Sequence, residues 1–363
     1  MSAPAIHQFV AGFSRRDAIS LEALQLRHCF REMGHPSEIW GEIPRISTED
    51  MREVRDVRHY RPRATEEDVL LLHLSAGSKV NQIFAEVPGR KVVLYHNITP
   101  SEGIRPFNGE FADALVEGRR QMHSLAGVPE YCLADSAFNA RELEAAGYGP
   151  TAVFPLVLDF SKFDCEPDSQ MLEHLGDGLT NILFVGRGVP NKCWEDLLYA
   201  FHAYHNRINR GSRLILAGSF GGMEKYFHYL QAIVHRLDLN NVEFFGSVSL
   251  RELVALYRSA HLWLGMSAHE GFCIPIVEAF HFRVPVLAYA AGAVPETLGS
   301  AAILIRDKRP ELVAEMMQEL IVASPMREMV LRAQDVRLRE LVTARDLRSE
   351  IERHLGRMLG GAQ

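Results

Sequence analysis

At 363 residues the chain exceeds one ordinary domain, so two domains of similar size are expected. Its 47% apolar and 23% charged residues are those of a soluble globular protein, and a net charge of −7 argues against a nucleic-acid binder. The cysteines Cys29, Cys132, Cys165, Cys193 and Cys273 are scattered without a C-x-x-C pair, which reads as reduced thiols in a cytoplasmic protein. The opening residues MSAPAIHQFVAGF lack the basic start and apolar run of a signal peptide, and no apolar stretch nears the ~18 residues that span a bilayer. Peripheral contact with the inner membrane stays open.

In chain order, Ile6 to Phe13 reads as a strand, Ser14-Arg15-Arg16-Asp17 as a polar turn, and Ala18 to Met33 as a helix closed by Gly34. Ser37 to Trp40 starts a second strand. The arginine-rich Met51 to Arg63 is interleaved with Glu53 and Asp56 and reads as solvated surface; a lipid or phosphate contact is the alternative. Asp68 to Leu74 and Lys91 to Tyr95 are apolar runs of buried-strand type, the second leading straight into His96. A helix from Phe111, a strand at Tyr131 to Ala134, a helix after Ser136 and a strand from Thr151 to Leu158 complete this half. The polar stretch Asp159 to Thr180 marks the boundary. Strand and helix then alternate again: Asn181 to Val185, Trp194 to Arg207, Arg213 to Ala217, Glu224 to Leu237, Val242 to Phe245 and Leu250 to Arg258. Val330 to Leu359 reads as terminal helices. Two doubly wound α/β halves with a helical tail are the most economical architecture.

The chemistry gathers around Trp263 to Glu296. Two carboxylates, Glu270 and Glu278, are separated by seven residues in HEGFCIPIVE, which reads as strand, loop, then a helix with Pro275 in its first turn. Carboxylates and a helix start at a strand's carboxyl end sit where open α/β sheets bind ligands. A second feature is FVGRGVPNK, where Gly186 lets the backbone approach and Arg187 and Lys192 supply the compact positive charge a diphosphate needs. His96, directly after a buried strand of the first half, and the Ser14–Asp17 turn are the remaining candidates, facing a cleft if the halves oppose their strand ends. Tyr226, Phe227 and Tyr229 read as packing, and His73, His123 and His269 lack metal-ligand spacing, so no metal is expected.

With these residues the chain resembles the GT4 family (glycosyltransferase group 1) of retaining glycosyltransferases, of the bacterial surface-polysaccharide type. The resemblance rests on FVGRGVPNK, the loop after LILAG, FFGSVS, HEGFCIPIVE with VPVLAYAAGAVPE and, in the first half, RRDAIS, YHNITP and ADSAFNARELEAAG. It implies a GT-B fold: two Rossmann-like doubly wound domains facing a central cleft, at 1–160 and 161–343, with a helix at about 344–363 packing back on the first. It implies a hexose moved from a UDP- or GDP-sugar to a glycan or lipid-linked acceptor, with no cofactor and no metal. Arg187 and Lys192, beside Gly186 and Gly218, would hold the diphosphate. Glu270 would hold the sugar hydroxyls, with Gly271, Phe272, Cys273 and Ile274 alongside, and Glu278 the ribose. Val248 would lie by the base, and His96 would approach the transferred sugar. The acceptor-side loop is Arg15, Arg16 and Asp17, where many relatives have a Gly-Gly pair. Many relatives also have glycine at Cys193 and Cys273.

As an acid/base pair the two glutamates would follow the retaining-glycosidase design, with carboxylates ~5 Å apart. A turn and then a helix between them suit two grips on one extended donor better. A sugar-nucleotide epimerase of the same shape, or a non-catalytic nucleotide-sugar-binding subunit, are the competing readings.

Overall fold

The computed structural model describes residues 3–15 and 17–359. It divides into two compact units, one of residues 1–100, 113–158 and 345–363, the other of residues 101–112 and 159–344.

The first unit is a seven-stranded parallel sheet. Its strands are β1 (Ile6–Val10), β2 (Ile39–Gly41), β3 (Val54–Asp56), β4 (Val69–Leu74), β5 (Arg90–Tyr95), β6 (Tyr131–Ala134) and β7 (Thr151–Val153), in the order β3-β2-β1-β4-β5-β6-β7. Helices α1 (Ala18–Glu32), α2 (Lys79–Glu86), α3 (Gly109–Ser124) and α4 (Ala137–Ala145) alternate with them, the first turn of α3, residues 109–112, belonging to the second unit. All six residues of β4, VLLLHL, are buried, as a strand covered on both faces requires. Asp17 caps α1 by accepting from the Ser20 amide at 2.8 Å.

The second unit contains α5 (Ser169–Leu175), α6 (Trp194–Arg207), α7 (Glu224–Arg236), α8 (Leu250–Ser259), α9 (Ile274–His281), α10 (Val294–Leu298), α11 (Pro310–Ile321) and α12 (Pro325–Leu338). Its strands β8 (Thr180–Val185), β9 (Ser212–Ala217), β10 (Val242–Gly246), β11 (Leu262–Gly265), β12 (Val286–Tyr289) and β13 (Ile303–Ile305) run in the order β10-β9-β8-β11-β12-β13, all parallel. The chain then returns to the first unit with α13 (Leu347–Met358), whose Ile351, Leu355 and Met358 share a core with Ile6, Leu26, Phe30 and Leu94.

Both sheets reverse direction beside their first strand, between β1 and β4 and between β8 and β11. Neighbouring connections leave in opposite directions there, which opens a crevice at the carboxyl ends of the strands.

One sequence expectation is corrected, and two short elements are added to the reading. The arginine-rich surface stretch contributes β3, paired in parallel to β2. The strand expected from Thr151 to Leu158 stops at Val153, two residues before Pro155, which has no amide to donate to a ladder. The polar boundary segment contains α5, capped by Asp168.

Candidate functional site

Beyond β8 the chain turns at Gly186, whose φ is 157° and whose amide donates to Ala217 at 2.9 Å. Gly218, after β9, must be glycine: a Cβ there would lie 1.8 Å from the Gly186 carbonyl oxygen. The two strand-end loops therefore touch backbone to backbone. A three-ten turn, Pro190–Lys192, carries Lys192 to the reversal point of the sheet. The loop after β11 meets it there, because the Ala268 amide donates to Asn191 at 2.8 Å. Lys192 Nζ lies 2.6 Å from Glu270 Oε1, and the Glu270 carboxylate is almost wholly buried. Burial alone would lower the lysine's pKa, but the adjacent Glu270 outweighs it and the net shift is upward. Glu270 is fixed from behind: its carbonyl accepts from the Ala293 amide at 2.9 Å, and a Cβ on Gly292 would lie 2.4 Å from that same oxygen.

Arg187 donates to the Gly221 carbonyl at 3.0 Å, and its guanidinium lies 5.1 Å from the Phe111 ring centroid. Burial lowers its pKa. Among the described residues it has no carboxylate partner, so its charge is uncompensated at short range. Glu278, in the second turn of α9, accepts from Tyr257 Oη at 2.9 Å, and Lys162 Nζ lies 3.5 Å from its other oxygen. That leaves a buried carboxylate held by one neutral donor and one half-exposed cation. Phe272 and Cys273 form the approach to α9, with Cys273 at φ 75° as N-cap and no side chain capping the helix beginning at Ile274. Val248 is half-buried between β10 and α8. Sequence reading missed Tyr257, Lys162 and Phe111. None belongs to a motif, and all are remote in sequence from the groups they support.

In the first unit an open pocket of about 730 Å³ lies at the reversal between β1 and β4, lined by Gly12, Phe13, Asp17, Arg45, His96 and Asn97 among others. Arg15 pairs with Asp50 and Glu53, and Asp17 is occupied capping α1. Arg16 lies outside the described residues. The His96 ring is 1% exposed and engaged at both nitrogens: Nδ1 is 3.0 Å from Asp135 Oδ2, and Nε2 is 2.9 Å from His73 Nδ1. His73, read from sequence as lacking ligand spacing, is brought with His96 and Glu22 so that their ligand atoms lie within 4.8 Å of one another. Pairing of β1 with β4 and of β4 with β5, with α1 packed alongside, makes neighbours of positions 22, 73 and 96. Linear spacing cannot show this.

Residues 174–334 match the family model described as glycosyl transferases group 1. The O-antigen chain mannosyltransferase B of Escherichia coli is 28% identical over 189 residues, 52% of this chain and 45% of that protein. A GDP-mannose-dependent alpha-(1-6)-phosphatidylinositol monomannoside mannosyltransferase of Mycobacterium tuberculosis is 27% identical over 196 residues, 49% of each chain. The chain thus spans about half the length of these curated relatives. Among solved structures, Anabaena HepE in complex with UDP-glucose superposes with a TM-score of 0.76 at 17% identity, covering 97% of this chain and 99% of that one. Among the described residues, no helix is long and apolar enough to cross a membrane.

Proposed function

We propose that this chain, whose residues 174–334 match the glycosyl transferases group 1 model and which has the GT-B fold, is a hexosyltransferase using a nucleotide-diphosphate sugar. The observation that carries the reading is the Lys192–Glu270 pair at the reversal of the second sheet, 2.6 Å apart. A donor is anionic at its diphosphate and rich in hydroxyls at its sugar. A cation and a carboxylate side by side offer one partner to each.

In this reading Lys192 and Arg187 bind the diphosphate, Glu270 accepts from sugar hydroxyls, and Glu278 accepts from the ribose. Gly186 and Gly218 keep the loop low enough for the phosphates. An acceptor hydroxyl oxygen bonds to the anomeric carbon, the bond from that carbon to the diphosphate oxygen breaks, and the hydroxyl proton passes to the departing phosphate. The anomeric configuration is retained. Charge grows on the leaving diphosphate as the bond breaks, so cations held in place beforehand stabilise the transition state more than the bound donor. Two cations supply that charge without a metal.

The relatives' names make GDP-mannose the first donor to try and UDP-glucose the second, with a glycan or lipid-linked acceptor. The free cysteines support a cytoplasmic setting. The test is transfer by the purified chain to such acceptors in EDTA, with product linkage read by NMR. Lys192→Ala and Arg187→Ala are each expected to lower kcat/KM by roughly 100-fold. Glu278→Ala should raise the dissociation constant of the free nucleotide about tenfold, some 1.4 kcal/mol. Unchanged transfer in both cation variants would sink the assignment. An epimerised sugar from donor alone would make the chain an epimerase, and nucleotide binding without transfer would make it a binding subunit.

A further inference from the structure

We infer that Gln8, His73 and Asp135 hold His96 protonated on both ring nitrogens, so that His96 is a fixed positive charge bordering the first-unit pocket and not a general base. The argument is an accounting of donors and acceptors in a buried chain. It starts at the Ala23 carbonyl in α1, which can only accept. Gln8 meets that carbonyl at 2.9 Å, so the atom presented is the amide nitrogen, Nε2. The other end of the same amide, Oε1, therefore faces His73 Nε2 at 2.9 Å. An amide oxygen also only accepts, so His73 carries its hydrogen on Nε2.

His73 is fully buried, and its nearest carboxylate oxygen, Glu22 Oε2, is 4.0 Å from Nδ1, beyond hydrogen-bond range. Burial and the neighbouring His96 push its pKa well down. It is neutral, and Nδ1 presents a bare lone pair. That lone pair faces His96 Nε2 at 2.9 Å, with ring planes 2° apart and centroids 5.1 Å apart. Nitrogens this much closer than the centroids mean that the rings meet edge to edge, in a common plane. Two lone pairs cannot face each other at that distance, so His96 Nε2 donates. On its far side His96 Nδ1 lies 3.0 Å from both oxygens of Asp135, a carboxylate that accepts. Both nitrogens of His96 therefore carry hydrogen.

The surrounding charges agree. Asp17 and Glu22 face His96 from α1, His73 from β4 and Asp135 from the end of β6, while Arg345 acts on Glu22. Burial raises Glu22 to about 8, so it is largely neutral at pH 7, and its free oxygen stands 3.7 Å from His96 Nε2. Burial also pushes the Asp135 carboxyl upward, while the adjacent His96 opposes that shift through its charge and its hydrogen bond; with Glu22 neutral, Asp135 is the counter-ion of one imidazolium. A ring already carrying both protons cannot remove one from an acceptor. Gln8, His73 and Asp135 are positioning residues that act through His96, and their link to transfer rests on the glycosyltransferase reading above.

The experiment is ring 15N–1H correlation NMR of the full chain labelled at histidine, at pH 7.5. His73→Gln and His96→Gln variants identify the two rings. The expected spectrum shows His96 protonated at both nitrogens and His73 protonated at Nε2 alone. Asp135→Asn should turn His96 neutral and lower kcat by roughly tenfold or more, with donor KM unchanged. A neutral His96 in the native chain overturns the inference. So does one zinc ion retained per purified chain and lost in His73→Gln, since a metal would then occupy the gap assigned to a proton. If Asp135→Asn fails to fold, the native spectrum decides alone. Failure of transfer with every acceptor would end the activity reading and leave the ring assignment standing.

Discussion

Two cysteines and one glutamate show how single residues are constrained here. Cys193 and Cys273 stand where many members of the resembled family have glycine, and both adopt left-handed backbone, with φ of 49° and 75°. Each starts a helix after a strand-end loop, and a side chain at such a φ costs about 1–2 kcal/mol. Glycine removes that strain while giving up a small buried side chain. Cys273→Gly should therefore melt within about 2 °C of the native chain, whereas the β-branched Cys273→Val should fall by about 5 °C or more in differential scanning calorimetry. Glu22 carries a pH dependence. Its carboxyl is raised from 4.5 to about 8, by burial first, with His96 and Arg345 opposing and Asp135 adding to it. The folded state holds this proton more tightly than the unfolded state. The stabilisation is complete below about pH 4.5 and is lost as pH rises through about 8. Glu22→Gln keeps an oxygen for the Val157 amide, which now donates to Oε1 at 3.0 Å, and removes the titration. Between pH 5 and pH 8 the native melting temperature should fall by about 5 °C relative to this variant. Parallel curves would count against the buried proton.

At the scale of elements, the site depends on how closely two strand-end loops approach. Gly218→Ala would drive a methyl group into the Gly186 carbonyl, so β8 and β9 must separate or the loop carrying Arg187 and Lys192 must lift. The expected cost is roughly 1–3 kcal/mol, with donor KM raised. A chain as stable as the native one, with unaltered KM, would show that the approach is not required. Elements were legible where periodicity or caps were strong. The buried β4, the capped α1, and α6 after FVGRGVPNK all follow from local pattern. The strand β3 was hidden because it has three residues on a charged edge, and β7 was overextended because TAVFPLVL is apolar past the proline that ends it. The strand β13 has too few residues to show a period.

For the whole molecule, the first unit is completed by the last helix of the chain. Ile351, Leu355 and Met358 are each nearly fully buried among side chains of β1, β4, β5 and α1. Burying each contributes about 1.5–3 kcal/mol, and together they rival the net stability of a domain. A chain ending at Ala344 should lose cooperative unfolding of its first unit and bind a hydrophobic dye, while the second unit still binds nucleotide in calorimetry. A truncated chain with two intact transitions would contradict this.

The sequence by itself determined the α/β class, the two-part organisation and the identity of the groups after β8 and β11. Alternating buried runs, turn glycines and a carboxylate spacing between strand and helix are local signals. Only the tertiary structure decided what those groups touch. Lys192 and Glu270 are paired because the sheet reverses between β8 and β11, and Glu278 is held by Tyr257 and Lys162 from other elements. The chain of Gln8, His73, His96 and Asp135 crosses four separate segments of sequence. Burial and hydrogen bonding, which set protonation, arise only when parallel pairing brings distant residues within 3 Å of one another.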